Sequence, residues 1–486
     1  MDFTEERAEA WRVELRNAMK AKERTAIPRV QMPELDPEYR SHSRLEEVNL
    51  GLTPEQAMME ARRCLDCTNP TCMQGCPVEI YIPKFIKNIE RGEFLEAAKT
   101  LKETSALPAV CGRVCPQERQ CEAQCIHLKM NKEAVAIGHL ERFAADYERE
   151  SGNISVPVVA PSNGIKIAGV GSGPAGLAFA GDMAKLGYDV TVFEALHEIG
   201  GVLKYGIPEF RLPNSVVDVE IQSLKAMGVH FVNNCVVGKT ISIADMEAEG
   251  FLGIFVASGA GLPRFMNIKG ENLVGIMSSN EYLTRVNLMD AANPESDTPV
   301  FMGKKVAVIG GGNTALDSVR TARRLGAERA IIVYRRSEAE MPARLEEVKH
   351  AKEEGIEFMT LHNPIEYIGS ETGRVTHMLL QAMELGAPDA SGRRSPVEIP
   401  GKTVLVEVDE VVVSVGVSPN PLIPQSVKEL EVTKWGTVVV DNDTMQSAVP
   451  IIFAGGDIVR GGATVILAMG DGRRAAKAMD EWIKSK

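Results

Sequence analysis

Eight of the nine cysteines fall between Cys64 and Cys125, and only Cys235 lies outside. Their spacing is Cys64-x2-Cys67-x4-Cys72-x3-Cys76-Pro77, then Cys111-x3-Cys115-Pro116-x5-Cys121-x3-Cys125. In a reducing compartment such clustering favours metal ligation over disulfides. The first group matches the four-cysteine iron–sulfur run C-x2-C-x2-C-x3-C-P with two residues added, and in two-cluster proteins the cysteine before proline serves the other cluster. Eight thiolates could equally form two four-cysteine sites, and C-x2-C pairs also build zinc sites. Cys235, in FVNNCVVGK, reads as a small apolar filler.

Two further stretches carry chemistry. Lys166 to Glu194 runs from a short apolar segment into Gly171-x-Gly173-x-x-Gly176, an Ala/Leu-rich stretch, and a second apolar segment ending on Glu194, 23 residues after Gly171. This is strand, turn, helix, strand. Gly171 permits the tight turn, Gly173 lets backbone N–H groups approach a pyrophosphate, Gly176 lets helix and strand pack closely, and Glu194 is placed to accept from a ribose. The second unit begins at Lys304 with Gly310-x-Gly312-x-x-Ala315. Its next strand, Ala330 to Tyr334, ends in Arg335 and Arg336 where an acid would hold a free 2′-hydroxyl; two guanidinium groups there match a 2′-phosphate, so the unit prefers NADPH to NADH. Two dinucleotide units in the same chain could supply electrons that zinc cannot carry, which favours iron–sulfur clusters. No C-x-x-C follows residue 125, which argues against disulfide exchange as the reaction.

Near the C-terminus an apolar run, Ile451 to Ala454, ends in Gly455-Gly456-Asp457, and Gly470-Asp471-Gly472 follows. A carboxylate just after a strand can meet a ribityl hydroxyl or lie near the phosphates. The later glycines read as a turn before a helix from about Arg473, whose N-terminus would face the flavin ring.

The elements that must position these groups follow from pattern. Thr53-Pro54 starts a helix that runs to Arg63 and delivers the chain to Cys64. Residues 83–103 read as two amphipathic helices broken near Gly92. Residues 1 to about 50 are polar, with a Pro-containing piece, IPRVQMPELDPEYRS, that is either an arm lying on something or a mobile tail. Ser151 to Gly164 has a linker's composition. The expected architecture is α/β: an N-terminal α-helical iron–sulfur domain followed by two Rossmann-like dinucleotide-binding domains, the second inserted in the first. The boundaries read are 1–150, then 164–295 with 440–486, and 296–439 for the inserted unit. With 486 residues, 44% of them hydrophobic, a large core is available, and the net charge of −12 argues against a nucleic-acid surface. No run reaches the 18 or more apolar residues of a membrane span, and the charged N-terminus, MDFTEERAEAWRVELRN, lacks a signal peptide's apolar centre; a cytoplasmic protein is expected.

The segments RCLDCTNPTCMQGCPVEIYIP, PAVCGRVCPQERQCEAQC, GSGPAGL, GGVLKYGIPEFRLP, VIGGGNTALD, YRRSEAEMP and FAGGDIVRGG together resemble one family over about residues 30 to 485. It is that of the small (beta) subunit of bacterial NADPH-dependent glutamate synthase, with its relatives the large subunit of the electron-bifurcating NADH-dependent ferredoxin:NADP oxidoreductase and the N-terminal part of dihydropyrimidine dehydrogenase. The resemblance implies FAD at the Gly171 unit, NADPH at the Gly310 unit and two [4Fe–4S] clusters. It adds Gly201, Asn313, Gly456 and Asp457 to the cofactor-binding residues and puts VLKYGIPEFRLP close to the flavin. It implies that Cys64, Cys67, Cys72 and Cys125 hold one cluster and that Cys76, Cys115 and Cys121 hold the other. The fourth ligand of that second cluster falls, by the same resemblance, on Glu141, sixteen residues after Cys125. Cys111 ligation, with Glu141 as a surface glutamate, is the alternative.

NADPH gives two electrons together and clusters accept one at a time, so a flavin must sit between them. The chain reads as a transducer from NADPH through FAD and two clusters to a partner, with no acid or base catalytic residue required. The partner expected is the large glutamate synthase subunit, which would make glutamate from glutamine and 2-oxoglutarate. The alternative is a bifurcating complex with a small flavoprotein subunit and ferredoxin. A non-catalytic assembly role conflicts with the intact phosphate-binding glycines and the Arg335-Arg336 pair.

Overall fold

The structure is a computed structural model that describes residues 3–390 and 392–486; Met1 and Asp2, which open the charged N-terminal stretch, and Ser391 lie outside the described residues. The helical domain contains α1 (Pro54–Arg62), α2 (Ile82–Glu90), α3 (Phe94–Lys102), α4 (Pro108–Val114) and α5 (Ile137–Ser151). Thr53 caps α1 through a reciprocal box with Gln56 and Pro54 fills the first turn, so the helix starts where its sequence directs. Gly92, at φ +85°, separates α2 from α3.

The first dinucleotide unit contains β1 (Lys166–Val170), α6 (Pro174–Lys185), β2 (Asp189–Phe193), α7 (Asn214–Ala226), β3 (His230–Val232) and β4 (Phe251–Val256). The chain then builds a second unit from β5 (Ile276–Ser278), β6 (Lys305–Ile309), α8 (Asn313–Arg324), β7 (Arg329–Tyr334), α9 (Leu345–Glu353) and β8 (Glu357–Thr360). An antiparallel ribbon, β9 (His362–Gly369), β10 (Val375–Pro388) and β11 (Arg394–Glu407), precedes β12 (Glu410–Val413). The chain returns to the first unit through β13 (Ile452–Ala454) and α10 (Val465–Lys484).

The first sheet has the order β13-β4-β1-β2-β3, the second β5-β12-β6-β7-β8, both parallel throughout, and the third β9-β10-β11. Because β13 pairs with β4 while residues between them form the second sheet, the second unit is inserted in the first. β5 already belongs to the second sheet although it precedes residue 296. β1, β6 and β12, inside the two parallel sheets, are buried over nearly all their length, as sheets covered on both faces require. One continuous apolar core joins the helical domain to one face of the first sheet, running from Leu107 and Val110 to Leu177 and Met469.

The glycine triplet near the C-terminus is not a turn. Thr464 caps α10, and Gly470-Asp471-Gly472 lies inside that helix. A Cβ on Gly470 would fall 2.8 Å from the Pro77 carbonyl oxygen, and one on Gly472 2.3 Å from the Ala175 carbonyl oxygen. Close backbone approach on two sides explains glycine here and overrides its weak helix propensity. The expected helix start near Arg473 is thereby corrected to Val465.

The polar N-terminal segment is an arm. Leu35 N–H donates to Val48 O and Leu50 N–H to Pro33 O, folding residues 33–50 into a loop. Arg40, 1% exposed, reaches from it to Glu353 and Glu354 at the end of α9, and Val48 N–H donates to Phe210 O at 2.9 Å. Among the described residues no helix is long and apolar enough to cross a membrane.

Candidate functional site

Cys64, Cys67, Cys72 and Cys125 line one cavity beside α2, with Ile82, Ile86 and His127. Below it the Lys87 ammonium donates to Cys64 O at 2.6 Å. Burial pushes the Cys64 thiol up to about 12, with Lys87 working against it, so a thiolate there needs a nearby cationic centre. The cavity is therefore suited to a metal cluster.

The remaining cysteines gather deeper. Burial pushes Cys76 up to about 12, and the Glu141 and Cys115 charges add to the rise; Cys121 is raised by burial and feels the same Cys76, Glu141 and Cys115. Glu141, on α5, is 6% exposed, and its Oε1 is buried without a hydrogen-bond partner. Burial first, and the Glu220 charge second, raise its carboxyl to about 8. A buried carboxylate with no donor is costly unless a cation meets it. Cys111, on α4, belongs to the same neighbourhood: it lies within hydrogen-bond reach of Cys115, and its thiol donates to Met469 Sδ at 3.5 Å. Five donors thus surround this position, one more than a four-ligand cluster requires.

In the first dinucleotide unit Gly171 has φ +99°, and a Cβ on it would fall 2.5 Å from Ala257 O; one on Gly176 would fall 2.0 Å from Gly171 O. A Cβ on Gly173 would meet nothing, so open space borders the start of α6, and no side chain caps that helix. Its first N–H groups are free for an anion. Gly201, at φ +55°, backs onto this turn: its Cβ would fall 2.9 Å from Gly173 Cα. Glu194 is buried and already engaged. One oxygen accepts from Ser172 N–H at 2.8 Å and Ser172 Oγ–H at 2.5 Å, and the other from Leu196 N–H at 2.8 Å. Tyr205, not singled out by the sequence, is held up at about 12 by burial and by the charges of Asp457 and Glu194, which puts the three within electrostatic reach of one another. Gly456, at φ +74°, precedes Asp457, whose carboxylate accepts from Ala463 N–H at 2.9 Å. These residues fit a dinucleotide with its pyrophosphate at α6.

The second unit repeats the device. Gly310 has φ +143°, Gly312 begins α8 without a side-chain cap, and a Cβ on Gly312 would come no nearer than 4.0 Å to Pro342. Asn313 Oδ1 accepts from Arg344 N–H at 2.9 Å, fixing the loop before α9. Arg335 is exposed, whereas Arg336 is buried and donates to Arg394 O and Asp389. The two arginines therefore sit in different environments.

The stretch containing Gly201 divides as well. Gly201 and Tyr205 stay with the first unit, Gly201 against Gly173, but Phe210 and Arg211 reach the second unit. Arg211 donates to Asp317 at 2.7 Å and pairs with Glu347 at 3.2 Å, and Phe210 lies under the Arg324 guanidinium at 3.8 Å. Arg344 donates to Arg113 O at 2.6 Å and Gln117 Oε1 at 3.0 Å, tying the helical domain to the second unit.

A cysteine-rich helical domain joined to nested dinucleotide units, the second ending its strand in arginines, defines an FAD- and NADPH-dependent oxidoreductase that carries [4Fe–4S] clusters. Residues 40–153 match the family model described as dihydropyrimidine dehydrogenase domain II, 4Fe-4S cluster, and residues 165–472 that of pyridine nucleotide-disulphide oxidoreductase. Within that class the chain belongs to the family of the glutamate synthase NADPH small chain. It is 36% identical to the glutamate synthase [NADPH] small chain of Azospirillum brasilense, over 94% of this chain and 95% of that protein. The Escherichia coli small chain is also 36% identical, over 88% and 92%. Similarity extends to the beta subunit of a Moorella thermoacetica NADP(+)-dependent formate dehydrogenase, 37% identical over 85% of this chain and 60% of that one. In fold, the chain resembles Mycobacterium tuberculosis FprA in complex with NADPH, with a TM-score of 0.56 and 20% identity over 66% of this chain and 85% of that one.

Proposed function

We propose that this chain is the electron-input subunit of a glutamate synthase, taking electrons from NADPH and delivering them to a large partner subunit that makes glutamate from glutamine and 2-oxoglutarate. The observation that carries this reading is the near end-to-end likeness to the Azospirillum brasilense small chain. Cys64, Cys67, Cys72 and Cys125 hold one cluster; Cys76, Cys115, Cys121 and Glu141 hold the other, leaving Cys111 unligated. The partnerless Glu141 Oε1 supports that ligand set. Gly171, Gly173, Gly176, Gly201, Glu194, Gly456 and Asp457 hold FAD. Gly310, Gly312, Asn313, Arg335 and Arg336 serve NADPH.

When bound, the flavin exchanges an electron pair for single electrons, and the clusters carry those singly. The chain's own residues supply position and charge. The N-termini of α6 and α8 present N–H groups to phosphates. Ser172 holds one oxygen of the Glu194 carboxylate through two hydrogen bonds. Arg211, held by Asp317 and Glu347, keeps the second unit at a set distance from the first.

The formate dehydrogenase beta subunit among the relatives shows that similar modules serve other enzymes, so the acceptor is tested directly. The chain is recovered anaerobically with its partner from the native source and assayed with NADPH. A large partner and glutamine-dependent oxidation of NADPH by 2-oxoglutarate are expected. A small flavoprotein partner with ferredoxin-linked NADH turnover would overturn the assignment in favour of bifurcation.

A further inference from the structure

Asp471 lies in the interior of α10 with no exposed surface. A carboxylate so enclosed is costly unless donors surround it, and here they do. Gly456 N–H and Arg460 Nε–H donate to its Oδ2 at 3.0 and 2.7 Å, and Arg460 Nη2 donates to its Oδ1 at 2.6 Å. Arg474, one turn further along α10, donates to Oδ1 as well. Two of these partners flank Asp457: Gly456 precedes it, and Arg460 closes the short helix 457–460 that it opens. The Arg460 fork meets both oxygens, which fixes direction as well as distance.

The turn before Asp457 is gripped from both sides. A Cβ on Gly455 would fall 2.7 Å from Asp471 Cβ, and one on Gly456 would fall 3.0 Å from Ala175 Cβ in the first turn of α6. Gly456 has φ +74°, a conformation that favours glycine. Gly455-Gly456 is thus clamped between the buried carboxylate of α10 and the helix whose first N–H groups are free for an anion. Asp471 is enclosed by protein, so it acts only through these neighbours. We propose that Asp471 is a positioning residue for the flavin: it sets the spacing between the α6 N-terminus, which takes the pyrophosphate, and Asp457, which takes a hydroxyl of the same cofactor. The proposal rests on the Gly171 unit being the FAD site. Were the Asp471–Arg460 pair only a brace for α10, its loss would lower stability without moving the flavin.

The test compares the holoprotein with Asp471→Asn, Arg460→Lys and Arg40→Ala, reading thermal unfolding, the rate of FAD release and the visible circular dichroism of the bound flavin. Asp471→Asn is expected to speed FAD release about 10-fold, the worth of a charge-assisted hydrogen bond. It should also change the flavin dichroism while the Michaelis constant for NADPH stays as in the parent. Arg460→Lys keeps the charge and loses the fork, and should speed release about 3-fold. Arg40→Ala, whose contacts lie at α9, should lower the unfolding midpoint and leave both flavin readouts unchanged. Parent release and parent dichroism in Asp471→Asn, with a lowered midpoint, would make the residue a brace for α10 and overturn the proposal. If Asp471→Asn yields no folded protein, Arg460→Lys decides by the same two flavin readouts. Gly173→Val, whose Cβ would meet no protein atom within 4 Å, checks the underlying reading separately. It should abolish flavin binding, and retained flavin would move FAD out of the Gly171 unit and take the proposal with it.

Discussion

The Cys111 thiol donates to Met469 Sδ at 3.5 Å, joining the deeper cysteine group to the first turns of α10. Next along that helix, Gly470 abuts Pro77, the residue after Cys76. The cluster loops and the first dinucleotide unit are thus packed at backbone distance. Gly470→Val places a side chain where the Pro77 carbonyl oxygen stands, and overpacking of this kind costs about 1–3 kcal/mol. Thermal unfolding should show a lowered midpoint together with reduced iron content. An unchanged midpoint with full iron would mean that this contact does not hold the two units together.

Glu141 and Cys111 compete for the fourth place at the deeper cluster. Glu141→Ala is expected to alter the electron paramagnetic resonance of one cluster and leave the other as it was. Cys111→Ser should retain roughly eight iron per chain, the content of two four-iron clusters. The reverse pattern moves the ligand role to Cys111 and leaves Glu141 a buried, protonated carboxyl.

Arg40 ties the arm to α9. Its neighbour Glu354 keeps Arg320 and Arg324 when Arg40 is removed, so Arg40→Ala leaves no bare charge there. What is lost is a buried cation with its bonds to Leu35 O, Glu353 and Glu354. A loss of about 2–3 kcal/mol is expected in urea unfolding, somewhat below that of a broken buried pair. A change within experimental scatter would show that the arm does not brace the second unit.

Glu410 opens β12, where one carboxylate oxygen accepts from Gly303 N–H at 2.8 Å and the other is buried without a partner. Burial raises its carboxyl from 4.5 to about 7, against the bond from Gly303. The folded chain therefore holds this proton more tightly than the unfolded chain. The contribution to stability is complete below pH 4.5 and is lost as pH rises through about 7. Glu410→Gln should be more stable than the parent at pH 8 by on the order of 2 kcal/mol and nearly equal to it at pH 4.5. Equal stability at pH 8 would place the carboxyl in its ordinary range.

The sequence made the local chemistry legible and left the long-range pairings hidden. Both glycine fingerprints and the Thr53 cap depend on spacing within one turn or one unit, and each glycine turn joins a strand to a helix as its pattern implies. The α9 partners of Arg40, Glu353 and Glu354, lie over 300 residues away, and Asp389 lies 53 residues from Arg336, so no window of sequence joins them. Adjacent Arg335 and Arg336 read as a pair because spacing cannot show that one side chain is drawn away by a ribbon. Gly470 and Gly472 read as helix breakers because their reason for being glycine, contact with Pro77 and α6, is tertiary. Glu141 was reachable only through family likeness, since a single glutamate on a helix carries no ligand spacing of its own.

Under the proposed function NADPH and the clusters belong to one electron path. It is tested most directly by metal analysis of the anaerobically purified protein, followed by electron paramagnetic resonance after addition of NADPH with a regenerating system. Iron and sulfide near the content of two four-iron clusters, with an iron–sulfur signal that grows on NADPH addition, is the result predicted. Zinc in place of iron, or clusters that respond to dithionite while NADPH bleaches only the flavin, would contradict it.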